Sequence, residues 1–225
     1  MASNPGSHPA QAPALPDPAR VLEMIDGMRL SKAVFAALEL GVFEALEGVQ
    51  RDAVECAAQL RVNEDALGRL LDACVAAGAL TKTDGRYRNS ELASVYIRAS
   101  SPATLSGYML YANRITWRLW EHLEDAVREG TPRWEQTFGA KEGIFDHFFA
   151  SDEAKETFLS GMHGLGLLSS PRVAAAFDLS AHRRVADLGG GTVHLVAAIC
   201  NRYPAMEGVV FDLPHFAPIA RSRLD

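Results

Sequence analysis

The chain has 225 residues, of which 48% are hydrophobic and 22% are charged, and its formal net charge is -6. A chain of this length forms one or two domains, and the composition is that of an ordinary globular protein. The negative charge argues against a nucleic-acid-binding surface unless basic residues are locally concentrated. No apolar stretch reaches the roughly 18 residues that indicate a membrane-spanning helix.

The first residues and the cysteines both favour a cytoplasmic location. Residues 1–18 are rich in alanine and proline, and they lack the basic start and apolar core of a secretory signal. They offer little apolar surface to offset ordering, so we expect a disordered lead. Cys56, Cys74 and Cys200 lie far apart in helical patterns without metal-ligand spacing, which favours reduced, buried thiols.

A helical pattern runs from Val21 to Leu46. Leu30, Val34 and Leu38 fall on one face, and Gly41 interrupts the pattern near its end. This apolar surface exceeds what a small lone domain needs. We therefore expect it to be covered, either by a partner chain or by a larger parent domain.

Residues 51–97 have the pattern of a winged helix. The sequence predicts a helix over Asp52–Leu60 and a second helix that begins at the N-cap Asn63 and ends before Gly78. The turn Asp84-Gly85 lies between residues 79–81 (ALT) and 86–88 (RYR), and this pattern predicts a hairpin. A last short helix is expected to begin at Ser90 and end near Ile97.

A winged helix raises DNA binding as an alternative, which the local charge disfavours. Acidic residues outnumber basic ones in 51–97, and the helix that would enter the major groove carries a single arginine. DNA affinity depends largely on neutralising phosphates, so this surface would repel DNA. Lys82, Arg86 and Arg88 in the wing are the only evidence in favour, and we expect a structural role.

Residues 101–180 are predicted to be a helical region rich in aromatic side chains. We expect a long helix over 102–128, a second helix that carries Phe145 and Phe149, and a third over 152–177. Core packing explains most of these aromatic residues. So many of them, Trp117 and Phe145 included, could also wall an apolar substrate pocket.

The pattern changes to α/β after Arg183. A short strand, Arg184–Leu188, leads into the loop Gly189–Thr192, a helix over 193–203 and a second strand, Gly208–Phe211. This order is one βαβ half-unit. The sequence thus predicts a mainly α winged-helix domain followed by the beginning of an α/β Rossmann-like domain with an incomplete parallel sheet.

Two acidic residues flank the glycine-rich loop in a way that favours S-adenosylmethionine over a dinucleotide. Asp212 follows Asp187 at close to the spacing of about 20 residues expected for an acid that binds ribose hydroxyls. Asp187 stands where it can orient the amino-acid end of a cofactor. The dinucleotide pattern requires a third glycine after Gly191, and the sequence lacks one.

These motifs resemble those of a known family. Residues 185–192 (VADLGGGT) and 210–214 (VFDLP) are similar to the paired signatures of the acetylserotonin O-methyltransferase-like family. Residues 40–43, 125–130 and 175–180 also match its pattern. The resemblance covers nearly everything after residue 20.

The resemblance implies a class I S-adenosylmethionine-dependent O-methyltransferase that acts on a hydroxyl of a small, often aromatic, molecule. It implies a winged-helix dimerisation domain over 19–100, a helical linker and substrate wall over 101–180, and the start of a Rossmann-like S-adenosylmethionine-binding domain over 181–225. The partner would be a second copy of the chain, bound through the N-terminal helices. Metal, membrane and nucleic-acid partners are not expected.

The same resemblance assigns site residues. Asp187, Gly189 and Gly191 would cradle S-adenosylmethionine. Its ribose would bind Asp212 and its adenine Leu213. A further set of candidates is aromatic or apolar: Phe149 near the methionine end, and Met162, Phe145 and Trp117 in the acceptor pocket.

The sequence departs from the family pattern in two places. Val193 stands where the family usually has glycine, which we expect to weaken cofactor binding. The family's catalytic histidine would lie beyond Asp225, so no catalytic residue is assigned here and the histidines present are expected to be surface or packing residues. A fragment, a truncated pseudoenzyme and an incomplete record all fit this pattern. A non-catalytic dimerisation partner is the alternative function.

Overall fold

The computed structural model describes residues 16–141, 144–148 and 151–221. Most of the lead 1–18 and the candidate Phe149 therefore lie outside the described residues. None of the helices in these ranges is long and apolar enough to cross a membrane.

The N-terminal part is a helical domain with a small hairpin, as the sequence predicts. Its elements are α1 (Ala19–Glu39), α2 (Val42–Ala45), α3 (Ala53–Leu60), α4 (Glu64–Ala76), β1 (Leu80–Thr83), β2 (Arg86–Asn89) and a π-helical turn (Ala93–Ile97). Gly41, with φ of 78°, separates α1 from α2. The strands of the hairpin are antiparallel, and Leu80 pairs with Asn89.

Local hydrogen bonds explain where these elements begin. Asp52 and Glu55 form a capping box at the start of α3, and the Asn63 side chain accepts a hydrogen bond from the backbone of Ala66 in α4. Asp84 and Gly85 both have positive φ, 50° and 78°, which matches the tight turn that a right-twisted hairpin favours. The predicted N-cap at Asn63 and the predicted turn are confirmed.

One hydrophobic core holds this domain together. Phe43, Leu46, Leu71 and Leu80 are among its fully buried side chains. Cys56 and Cys74 belong to the same core, and all three cysteines are free thiols. Burial raises the pKa of the Cys74 thiol to about 11, so this cysteine is an unreactive packing residue.

The prediction of one long helix over 102–128 is wrong. The chain instead forms α5 (Ser106–Tyr111), a π-helical segment (Ala112–Thr116), α6 (Trp117–Trp120) and α7 (Leu123–Glu129). His122 leaves helical geometry, with φ of -113° and ψ of 24°. The next helix then starts with Glu124 and Asp125 in its first turn, where negative charge is favourable.

Three further helices complete the middle region. They are α8 (Trp134–Phe138), α9 (Ile144–Phe148) and α10 (Asp152–Ala176). The sequence pattern predicts α9 and α10 but not α8, which is short and ends at Gly139 in the left-handed conformation. Ser151 caps α10 by accepting a hydrogen bond from the backbone of Ala154.

Glycines allow α10 to approach α5 at very short range. A Cβ at Gly107 would lie 2.4 Å from the Ser160 carbonyl oxygen, and one at Gly161 would lie 2.9 Å from the Tyr111 Cβ. A Cβ at Gly164 would likewise meet the carbonyl oxygen of Thr104 at 2.9 Å. The backbones of the two helices therefore touch where larger residues would hold them apart.

A bidentate ion pair joins the middle region to the N-terminal domain. The Arg114 guanidinium donates to both carboxylate oxygens of Glu39, at 2.8 and 2.6 Å. These hydrogen bonds hold the pKa of the Glu39 carboxyl below its usual range, against the opposing effect of its partial burial. The contact fixes the end of α1 against the helical segment that follows α5.

The C-terminal part is the βαβ unit that the sequence predicts. Strands β3 (Arg184–Leu188) and β4 (Glu207–Phe211) are parallel, with Leu188 opposite Phe211, and α11 (His194–Arg202) connects them. A short 3-10 turn (Pro214–Phe216) and α12 (Ala217–Arg221) follow. Helix α11 packs on α10 through a small core that includes Ala174, Ile199 and Met206.

The contact at Gly107 generates a stability prediction. The change Gly107→Ala places a methyl group against a backbone carbonyl that cannot move aside, so we expect a loss of about 2–3 kcal/mol in the free energy of unfolding. Gly68→Ala in α4 is the control, because its Cβ would meet only the Ala53 side chain at 3.7 Å. That change should be neutral or stabilise by up to about 1 kcal/mol. Urea titration of both variants measures the difference, and equal stabilities would contradict the close packing.

Candidate functional site

The candidate site lies at the edge of the sheet where β3 and β4 both end. Because the strands are parallel and in register, Gly189 and Asp212 follow them at the same edge. The Gly189 backbone N–H donates to the Phe211 carbonyl oxygen at 2.7 Å. The Gly191 backbone N–H donates to Asp212 Oδ2 at 2.7 Å, so the glycine-rich loop is bonded directly to the carboxylate after the second strand.

The three glycines of the loop have different roles. Gly189 and Gly191 have φ of 75° and 39°, a conformation that glycine adopts without strain. Gly190 has an ordinary φ but no room, because a Cβ there would lie 2.9 Å from the Asp187 carboxyl carbon. Among the described residues, apart from its chain neighbours, Gly189 has no heavy atom within 4 Å of its Cβ position, which leaves open space on that side of the loop.

The site carries uncompensated negative charge. Burial raises the pKa of the Asp187 carboxyl above its ordinary value, and the nearby charge of Asp212 raises it further. Within the described ranges neither carboxylate belongs to an ion pair. Asp212 is half-buried, and its Oδ1 accepts a hydrogen bond from the Leu213 backbone at 2.7 Å. A ligand with positive charge would stabilise this arrangement.

Val193 closes the loop in a strained conformation. It is the N-cap residue of α11, with φ of 62° and ψ of 1°, and its side chain is only 1% exposed. Left-handed geometry costs a residue with a Cβ about 1–2 kcal/mol, and it is least favourable for a β-branched side chain. The sequence identifies Val193 as a departure from the family pattern, and the structure shows the backbone geometry behind it.

Two histidines beside the loop form a contact that the sequence does not predict. His194 is the first residue of α11, and its Nε2 lies 2.6 Å from Nδ1 of His163 on α10. From the sequence alone, both histidines are expected to be surface or packing residues. Nothing in the spacing of 163 and 194 signals the contact, because it depends on how α10 packs against α11.

The candidate pocket residues are dispersed over the helical region. Met162 is half-buried on α10, while Phe145 on α9 is 54% exposed. Trp117 packs against Phe35 of α1, with ring centroids 6.2 Å apart, and therefore faces the N-terminal domain. Leu213 is 48% exposed beside the loop. The roles of these residues stay predictions.

The structure brings a different set of aromatic rings together. Phe148 is fully buried, and its ring centroid lies 4.4 Å from that of Phe158 and 5.9 Å from that of Tyr111. The rings of Trp134 and His147 also lie near Phe148, with centroids 5.8 and 5.2 Å from that of Phe148. The aromatic density of 101–180 indicates such a cluster, but the sequence does not reveal which rings meet. No group of three metal-ligating side chains occurs in the part of the chain that the structure describes.

Fold and site together define a βαβ nucleotide-binding unit of the methyltransferase class, preceded by a winged-helix domain. Comparisons with known proteins agree. An O-methyltransferase dimerisation domain matches residues 22–99, and an O-methyltransferase domain matches residues 120–225. The chain belongs to the acetylserotonin O-methyltransferase-like family.

Individual relatives support the family at moderate identity. The chain is 38% identical to a human probable bifunctional dTTP/UTP pyrophosphatase/methyltransferase protein over 91% of this chain and 34% of that protein. It is 36% identical to bovine acetylserotonin O-methyltransferase over 88% of this chain and 60% of the relative. The solved structure of human N-acetylserotonin methyltransferase in complex with SAM aligns with a TM-score of 0.85 at 32% identity, covering 96% of this chain and 65% of that one. The chain thus spans less than two thirds of each of these relatives.

The strain at Val193 predicts that a glycine variant is more stable than an alanine variant, the reverse of the order usual in a helix. Val193→Ala keeps a Cβ in left-handed geometry and removes buried methyl groups, whereas Val193→Gly also removes the strain. We expect the glycine variant to be more stable than the alanine variant by about 1 kcal/mol. At the buried Val196, inside α11, the order should reverse by about 0.5–1 kcal/mol. Thermal unfolding of the four variants checks both orders, and an alanine variant at least as stable at position 193 would refute the strain.

The electrostatics of Asp187 generate a pH-dependent prediction. Because its pKa is higher in the folded state, its ionisation opposes folding, and the stability present below the unfolded pKa is lost as pH rises through the folded one. Asp187→Asn should therefore raise the urea midpoint at pH 7 and leave it unchanged near pH 3. Asp178→Asn is the control of opposite sign, since the Ser180 backbone N–H holds the pKa of Asp178 low. That variant should lose stability at pH 7. A destabilised Asp187→Asn at neutral pH would contradict the account.

Proposed function

We propose that this chain provides the cofactor site and part of the acceptor wall of an S-adenosylmethionine-dependent O-methyltransferase. The observation that supports this most is the pair of carboxylates, Asp187 and Asp212, placed around an open glycine-rich loop and unpaired with any cationic side chain that the structure describes. S-adenosylmethionine combines a net positive charge with two ribose hydroxyl donors. Both features complement this site.

The hydrogen-bonding capacity of the site fits the cofactor. Each oxygen of Asp212 accepts one backbone hydrogen bond, and a carboxylate oxygen has room for a second. Asp212 can therefore bind ribose hydroxyls without releasing the loop. The open space beside Gly189 allows backbone to approach the ligand, and the exposed Leu213 offers an apolar surface for adenine.

When bound, S-adenosylmethionine supplies an electrophilic methyl group on its sulfonium. The residues of this chain would bind the cofactor and orient it. Asp212 and Gly191 would fix the ribose end, and Asp187 would attract the α-ammonium group of the amino-acid end. We assign no general base among the described residues, so removal of the acceptor's proton is not attributed to this part of the chain.

The acceptor that we propose is a small aromatic molecule with a hydroxyl group. Its wall would come from Met162, Phe145 and Trp117, together with the rings around Phe148. Aromatic rings favour flat apolar ligands. The bovine relative is named for O-methylation of acetylserotonin, which supports this class of acceptor.

We propose a homodimer through the N-terminal helix α1. Its first turns expose an apolar row formed by Val21, Leu22, Met24, Ile25 and Met28. A cavity of about 520 Å³ lies beside this row, between α1 and Trp117. An apolar row of this length is typical of a protein interface, and the dimerisation-domain match makes a second copy the fitting occupant.

The boundaries 19–100, 101–180 and 181–225 are the domain division that we propose.

The wing favours a structural role over DNA binding. Lys82 is paired with Asp72 at 2.7 Å, and Arg86 is paired with Glu55 at 2.6 Å. Basic side chains that are already committed to carboxylates contribute less to phosphate binding. The alternative of a non-catalytic dimerisation partner remains, and cofactor binding separates it from the enzyme.

Calorimetric titration with S-adenosylmethionine tests the proposed function. We expect saturable binding, and we expect Asp212→Asn to weaken it about 10- to 100-fold because hydrogen bonds to a charged group are lost. Glu207→Gln is the matched control at the other end of β4, where Glu207 pairs only with the exposed Arg184. The control should bind normally. Absence of binding by the unaltered chain would favour the partner role, and equal binding by Asp212→Asn would contradict the site.

A further inference from the structure

We propose that His163 and His194 form a positioning pair that fixes the cofactor loop on α10, so that α10 sets the affinity for S-adenosylmethionine. This inference rests on the proposed function and adds the contact that shapes its site. The distance of 2.6 Å between His194 Nε2 and His163 Nδ1 requires an N–H on one ring and a lone pair on the other. The pair therefore forms a directed hydrogen bond between two helices.

Gly166 on α10 leaves the space that the His194 ring occupies in this pair. A Cβ at Gly166 would lie 2.5 Å from Cδ2 of His194, so only glycine allows the imidazole to lie against α10. Both histidines are half-buried, where a hydrogen bond competes less with water than at the surface. Gly166 and His163 occupy neighbouring positions on one face of the helix, three residues apart.

The position of His194 gives the hydrogen bond its consequence. His194 follows Val193 directly, and Val193 follows the loop whose Gly191 is bonded to Asp212. A residue in left-handed geometry persists only where its surroundings hold it there. The contact with His163 holds the backbone immediately after Val193, and it thereby keeps the loop in the shape that meets Asp212.

The other end of the pair reaches the proposed acceptor wall. His163 follows Met162 on α10, and Phe158 of the aromatic cluster lies five residues earlier, about 7.5 Å along the helix. His163 also lines a cavity of about 360 Å³ between α10 and α5, together with Ser106 and Ser160. One hydrogen bond thus connects the helix beside the acceptor to the loop beside the cofactor.

Amide side chains of matched length test the pair. The Asn side chain places a polar atom near the position of imidazole Nδ1, and Gln places one near Nε2. His163→Asn and His194→Gln should therefore keep S-adenosylmethionine binding within about twofold of the unaltered chain. His163→Leu and His194→Asn remove the contact and should weaken binding about 5- to 10-fold in calorimetry. Ser160→Ala, on the same cavity wall, is the control and should bind normally.

Combination with Val193→Gly tests whether the pair acts through the strained residue. With glycine at position 193 the loop adopts its left-handed conformation without strain and does not depend on the histidine hydrogen bond. His163→Leu should then change the dissociation constant for S-adenosylmethionine by less than about twofold. A His163→Leu effect of equal size in both backgrounds would overturn the inference, as would normal binding by both deletion variants. A loss with His163→Asn as large as that with His163→Leu would also overturn it.

The variants also separate this inference from the proposed function. If the unaltered chain fails to bind S-adenosylmethionine, the proposed function itself fails. If it binds and the deletion variants bind equally well, only the positioning role is wrong. Thermal unfolding of each variant identifies any that do not fold. If a variant at position 163 does not fold, the comparison of His194→Asn with His194→Gln replaces the comparison of His163→Leu with His163→Asn.

Discussion

The candidate site depends on one hydrogen bond, from the Gly191 backbone N–H to Asp212 Oδ2. It connects the ends of two strands that are separated in sequence by the whole of α11. Without it the glycine-rich loop and the carboxylate would be independent features. With it, Asp212 stands at a fixed position beside the open side of the loop. Asp187 lies against Gly190, close enough to Asp212 for the charge of Asp212 to raise the pKa of Asp187. The negative charge that favours a cationic cofactor follows from this geometry.

Helix α10 provides the second constraint, because it packs against α5, α9 and α11. Its glycines bring it against α5 at Gly161 and Gly164, and against α11 at Gly166. Close contact between backbones leaves little freedom to slide, so a movement of α10 would be transmitted to both neighbours. The proposed acceptor wall and the cofactor loop are therefore parts of one packed unit rather than two sites that meet by chance.

The elements that the sequence predicted well are those determined by neighbouring residues. The cap at Asn63, the turn at Asp84-Gly85 and both strands of the βαβ unit depend on local hydrogen bonds or on short apolar patterns. The break at His122 was missed because helical periodicity continues across it, and only the local geometry shows that a new helix begins.

The features of the site that the sequence could not predict depend on tertiary contact. The tight space at Gly190 is set by Asp187 and Val210, and the histidine pair is set by the packing of two helices. The departure at Val193 was visible in the sequence, but its left-handed backbone was not. Motifs thus indicate which residues belong to the site, whereas the arrangement of charge and strain around them requires the fold.

A crystal structure of the chain with S-adenosylhomocysteine would test the central claim most directly. The account predicts the ribose hydroxyls within hydrogen-bond distance of the Asp212 carboxylate, the amino-acid end towards Asp187, and ligand against the open side of Gly189. An empty loop at saturating ligand, or ligand bound away from both carboxylates, would contradict it.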